Sequence, residues 1–91
     1  MTYKRTDANQ AAIVSELREI GASVLILASV GSGCPDLLVG WKGNNYLFEL
    51  KNLAGRGNRL TPAETIFLTG WKGQAAIVCN LAAILAILEA T

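Results

Sequence analysis

Apolar residues recur along the chain first at helical spacing and then in short runs. Ala8, Ala12, Ile13, Leu17 and Ile20 fall on one helical face. This predicts a first helix over Asp7 to Ile20, with Asp7 as N-cap and Gly21 as its stop. Ala22 to Ala28, with SVLIL at its heart, reads as a strand. Ser29 to Pro35 reads as loop, Asp36 to Trp41 as a second strand, Lys42-Gly43-Asn44-Asn45 as a tight turn, and Tyr46 to Lys51 as a third strand. A polar, basic loop follows from Asn52 to Leu60. Thr61-Pro62-Ala63-Glu64 has the form of a capping box, with Pro at the first helical position. That helix reaches about Thr69, Gln74 to Cys79 makes a fourth strand, and Leu81 to Ala90 a closing helix. The order is α-β-β-β-α-β-α, with no repeat, low-complexity tract or linker.

With 91 residues, the chain is read as one domain over 1–91. Hydrophobic residues make up 52% and charged residues 16%, a balance that excludes disorder and suggests a partner covering apolar surface. The closing helix points the same way. Leu81, Ile84, Leu85 and Leu88 form one apolar face, and Ala83, Ala86 and Ile87 spread apolar character further round, so a homodimer is expected. No apolar run is long enough to span a bilayer, and no apolar segment follows the basic N-terminus, so neither a membrane span nor a signal peptide is expected. Cys34 and Cys79 read as reduced thiols of a cytoplasmic protein. Histidine is absent, which removes Cys–His zinc sites, Ser–His triads and imidazole bases. Hydrolytic chemistry would therefore fall to carboxylates, lysine and a hard metal. The net charge is +1, but Lys4, Arg5, Lys42, Lys51, Arg56, Arg59 and Lys72 lie outside the expected first helix.

Glu49 and Lys51 lie two apart in one strand and so share a face, while Phe48 and Leu50 point the other way. If the hairpin folds about Asn44, with Trp41 opposite Tyr46, Asp36 falls near position 51, beside both. Two carboxylates meeting there repel unless a cation sits between them, and Mg²⁺ takes such oxygen ligands. A plain cross-strand Asp–Lys or Glu–Lys salt bridge is the alternative, and geometry leaves both open.

Gly33-Cys34-Pro35-Asp36, a step of 13 residues, then Glu49-Leu50-Lys51 resembles the PD-(D/E)xK nuclease signature. Leu60-Thr61-Pro62-Ala63-Glu64 is similar to the stretch after the ExK motif in the VRR-NUC family. Asp7-Ala8-Asn9-Gln10 with Leu17-Arg18-Glu19-Ile20-Gly21 resembles the opening helix of its phage-type, stand-alone members. The resemblance runs from Asp7 to about Val78 and implies a restriction-endonuclease-like α-β-β-β-α-β core, a mixed sheet flanked by helices, with an extra C-terminal helix. It departs from the family in the first helix, where many members carry a metal-binding Glu and this chain offers Asp7, Asn9 and Gln10, with Glu16 two turns further on. It departs again at Glu64, where many members have Gln and where the capping role alone would explain the residue.

The resemblance implies a Mg²⁺- or Mn²⁺-dependent endodeoxyribonuclease. Asp36, Glu49 and the Leu50 backbone carbonyl would hold metal, and Lys51 would orient water or offset charge on the phosphate. Arg56, Arg59, Lys42 and Thr61 would meet DNA phosphates. Trp41 and Trp71 are expected to be buried in the core or an interface rather than stacked on bases. Similarity to Holliday junction resolvases points to four-way junctions, a homodimer, and the cytoplasm of a bacterium or phage-infected cell. A flap or restriction-like module working with a partner, or an inactive fold kept as a DNA-binding subunit, are the competing readings.

Overall fold

The computed structural model describes residues 3–51 and 59–90, with side chains from Asn9 onward. The chain is an α/β fold of three helices and a four-stranded mixed sheet. Helix α1 (Tyr3–Glu19) begins before Asp7, so Asp7 lies inside the helix and is not its N-cap. No Gly or Pro interrupts residues 3–6, so nothing in the backbone stops the helix extending back through Lys4 and Arg5, which had been placed outside it. Its other end stops as expected. Gly21 takes φ +100°, its N–H donates to the Arg18 carbonyl at 3.1 Å, and the Ala22 N–H donates to the Leu17 carbonyl at 3.0 Å. Those two bonds make a Schellman stop, closed by the buried pair Leu17 and Ala22.

Strands β1 (Ser23–Ile26), β2 (Leu37–Trp41) and β3 (Asn44–Leu50) form an antiparallel meander, and β4 (Ala75–Val78) pairs with β3 in parallel. The β2–β3 turn corrects the expected register. Only Lys42 and Gly43 form the turn, at φ +51° and +83°, and Trp41 pairs with Asn44 rather than facing Tyr46. Two successive left-handed residues give the twist that a two-residue hairpin favours, so Asn44 and Asn45 join β3 instead of the turn. With Leu37 opposite Phe48, the next position back sets Asp36 opposite Glu49, not near Lys51 as expected.

One face of the sheet carries Val24, Leu37, Val39, Tyr46, Phe48, Leu50 and Val78 into a single core, with Ile13, Val14 and Leu17 of α1 and Ile84 and Leu88 of α3 (Leu81–Glu89). The sequence pattern asks for a second copy to cover α3. In the structure the chain's own core takes Ile84 and Leu88, and Leu81, Ala83, Leu85 and Ile87 pack half-buried against it. That leaves Ala82, Ala86 and Glu89 as the exposed positions of α3. Large exposed apolar side chains lie elsewhere, at Leu25, Val30, Ile66 and Ile77. The remaining helix, α2 (Pro62–Gly70), buries none of its residues fully. Its capping box is present as expected: the Glu64 N–H donates to Thr61 Oγ1 at 3.1 Å, and the Thr61 N–H donates to Glu64 Oε1 at 2.9 Å. Among the described residues no helix is long and apolar enough to cross a membrane.

Candidate active site

The loop between β1 and β2 delivers Asp36. Gly31, Ser32 and Gly33 take successive positive φ values of 76°, 58° and 78°, and the Cys34 N–H closes the turn on the Gly31 carbonyl at 3.0 Å. Pro35 is fully buried behind it. The Asp36 carbonyl accepts from the Leu27 N–H at 2.8 Å, and its carboxylate Oδ2 accepts from the Leu50 N–H at 2.7 Å. Asp36 is therefore locked to the C-terminal end of β3 by a charge-assisted bond. Glu49 sits one residue before that point and faces away from the core that Phe48 and Leu50 fill. Lys51 follows the strand, and its N–H donates to the Val78 carbonyl at 2.9 Å. Its ammonium lies 3.3 Å from Glu49 Oε2 and 3.0 Å from Glu64 Oε1.

Gly33 binds the Asp36 loop to α2. A Cβ on Gly33 would stand 2.3 Å from the Ala63 carbonyl oxygen and 2.9 Å from the Glu64 nitrogen, both backbone atoms that cannot swing aside. Gly31 has a similar φ of +76° but open space around it. Gly33→Ala is therefore expected to cost about 2–3 kcal/mol from overpacking and a strained φ, and to lower Tm by roughly 10–20 °C. Gly31→Ala should lose only the smaller strain cost. Thermal melts of the two variants followed by circular dichroism check this, and equal melting points would show that the contact with α2 does not matter.

Glu49 is 3% exposed, and its Oε1 has no hydrogen-bond partner. Burial, then the negative charges of Asp36 and Glu64, push its carboxyl up to about 8 against the opposing pull of Lys51, and a proton shared with the Glu64 carboxylate raises it further while Oε1 accepts from no donor. For Lys51, burial pulls the ammonium down, but the bond and charge of Glu64 and the charge of Glu49 outweigh it and hold the group above its usual range. Glu64 sits below its usual range: burial opposes this, and the Thr61 N–H and Lys51 overcome it. The Cys34 thiol is pushed up by burial, then by Glu49 and Asp36, which stand close to it. The salt bridge left open as the alternative is thus present, but not as a cross-strand pair. Lys51 pairs along its own strand with Glu49 and across to α2 with Glu64, while half of the Glu49 carboxylate is left without a partner. A buried acceptor left unmade costs about 1–3 kcal/mol, more if charged, which purely structural ion pairs do not ordinarily carry.

Asp36 and Lys51 are each brought beside Glu49, the first from across the hairpin and the second along the chain. The other expected contacts differ. Asn9 is exposed and Gln10 half-buried on α1, and the ion pairs of Lys51 run to Glu49 and Glu64 instead. The side chain of Asp7 and the whole of Arg56 lie outside the described residues. Lys42 is at the hairpin turn, separated from Asp36 by the length of β2, roughly 17 Å at strand rise. Its ammonium lies 5.6 Å from the Trp41 ring instead. Arg59 is exposed just before α2, and the Thr61 hydroxyl oxygen and amide are committed to the cap. Trp41 packs half-buried against the core, but Trp71 is 47% exposed and stacks on Phe67 at 5.0 Å rather than entering it. Two residues outside the sequence-derived set belong to the site, Glu64 and Cys34. Glu64 was read as a cap at a position where the resembled family often carries Gln, and its one oxygen serves both Thr61 and Lys51. Set against protein-family models, curated proteins and solved structures, the chain matches none.

Proposed function

We propose that the protein is a divalent-metal-dependent endonuclease built on a restriction-endonuclease-like core. The observation that carries this reading is the unpartnered, buried Oε1 of Glu49 beside Asp36 and the Lys51 ammonium. The donor chemistry fits Mg²⁺ or Mn²⁺. Two carboxylates and the Leu50 backbone carbonyl are hard oxygen donors, and Cys34, held as a thiol, does not compete as a soft one. Among the described residues no three side chains of ligating type gather as a ready-made cage, so water and substrate phosphate would complete the shell, as suits Mg²⁺. When bound, the metal would supply a more acidic water and charge stabilisation on the phosphate. Asp36 and Glu49 would hold it. Lys51, kept charged, acts as a donor and a positive charge rather than a base, and opposes the charge that builds as water adds to phosphorus and one P–O ester bond breaks.

Branched DNA, above all the four-way junction, is the proposed substrate. The resemblance supports it, as does a sequence with no recognised base-reading motif, which leaves shape as the basis of selection. A homodimer would suit the two-fold symmetry of a junction. The test is a nicking assay on four-way junction, flap and matched linear duplex, with Mg²⁺ and with EDTA. Junctions should be cut fastest, cutting should stop in EDTA, and binding should fall steeply with salt. Equal rates on junction and linear duplex would refute the substrate, and cutting that survives EDTA would refute the mechanism.

A further inference from the structure

We infer that Glu64 is a positioning residue that holds the Lys51 ammonium in place, beyond its role as a helix cap. Its catalytic consequence rests on the nuclease reading above, but its structural half does not. One oxygen, Oε1, lies 3.0 Å from Lys51 Nζ and accepts from the Thr61 N–H at 2.9 Å. The cap therefore fixes the carboxylate, and the carboxylate fixes the lysine. Glu49 supplies the second contact at 3.3 Å, so Lys51 is held from two elements, β3 and α2. The lysine side chain is 12% exposed and Glu64's is 18%, so water screens this pair far less than a surface ion pair. A lysine has four rotatable side-chain bonds, and Glu49 alone would leave it free to follow a carboxylate that a metal claims. Glu64 provides an anchor that is not part of the proposed metal shell. The close seating of Gly33 on Ala63 holds the first turn of α2 at the distance this requires.

The two roles of Glu64 can be separated. Glutamine satisfies a capping box as well as glutamate does, so Glu64→Gln keeps the cap and loses the charge on Lys51. Thr61→Ala loses half of the cap and keeps the Glu64 carboxylate. Each variant would be followed by thermal melt, by the NMR cross-peak of the Lys51 ammonium, which is seen only when that group exchanges slowly with water, and by junction cutting in Mg²⁺. Glu64→Gln should melt close to the wild type, lose the ammonium cross-peak, and show kcat lower by about 10–100-fold with KM unchanged. Thr61→Ala should melt lower while keeping the cross-peak below its melting range. An ammonium cross-peak that persists in Glu64→Gln, or a kcat equal to the wild type's, would reduce Glu64 to a cap. A cross-peak that Thr61→Ala also loses would place the effect in the helix rather than the charge. Should the wild type not cut DNA while the cross-peak follows this pattern, the nuclease reading fails and the positioning of Lys51 stands.

Discussion

With Lys51 replaced by alanine, the protein should bind Mn²⁺ at least as tightly as the wild type yet cut DNA ~10²–10³ slower, the usual loss when a preorganised charge is removed from a transition state. The two halves of this result have different causes. The carboxylates of Asp36 and Glu49 remain, and removal of an ammonium 3.3 Å from Glu49 takes away a charge that repels an incoming cation. Cutting fails because nothing else in the described site offers a positive charge at that point: Lys42 is at the far end of the hairpin and Arg59 is exposed before α2. A purely structural ion pair gives the opposite pattern. Lys51→Ala would then leave Glu49 and Glu64 facing each other uncompensated, the melting point would drop, and any nuclease activity would survive in the folded fraction. Calorimetric titration of Mn²⁺, a junction-cutting assay and a melt on the same preparation decide the matter. A Lys51→Ala protein that cuts at the normal rate would sink the assignment.

The pattern of the chain revealed its elements well because their signals are local. The Thr61-Pro62-Ala63-Glu64 cap and the Gly21 stop each act within a turn or two and appear as read, whereas of the helical face expected from Ala8, Ala12, Ile13, Leu17 and Ile20 the structure buries Ile13 and Leu17, leaves Ala12 and Ile20 exposed and adds Val14, the Ala8 side chain lying outside the described residues. The site was legible for a related reason: Glu49 and Lys51 share a face by strand period alone, and Asp36 reaches them through one hairpin. Register was less legible, because it depends on how many residues the turn consumes. A two-residue turn at Lys42-Gly43 moved Asp36 from the level of Lys51 to that of Glu49. Glu64 and Cys34 were not legible as site residues. Their proximity comes from the seating of α2 against Gly33 and from the three left-handed residues of the loop, which are tertiary facts. The covering of α3 was not legible either, since a pattern of apolar residues does not say whether a sheet or a second chain covers them.

Glu49→Gln should change how the metal-free protein responds to pH. The Glu49 carboxyl rises from an ordinary 4.5 to about 8, so between these values the folded chain holds a proton that the unfolded chain has released. Stability from this group is therefore complete below about pH 4.5, declines as pH rises, and levels off above about pH 8. Glu64, Lys51 and the Cys34 thiol shift outside that window. Glu64 is lowered, so its contribution is lost only in more acid solution, while Lys51 and the Cys34 thiol are raised from 10.5 and 9.0 and act in more alkaline solution. By pH 7 the wild type should have lost on the order of 3 kcal/mol relative to its acid maximum. Glutamine keeps the shape and stays neutral throughout, so the variant should lack that slope and melt higher than the wild type at neutral pH. The same proton stands in the way of the metal: Mn²⁺ must displace it, so affinity in the wild type should climb towards pH 8 with release of about one proton, and Glu49→Gln should bind weakly at every pH. Stability gained and metal lost in one variant is the signature of a carboxylate kept for binding at the expense of the fold. If the two proteins show the same slope of stability between about pH 5 and 8, the unpartnered oxygen of Glu49 is not the source of the strain, and the metal assignment loses the observation it stands on.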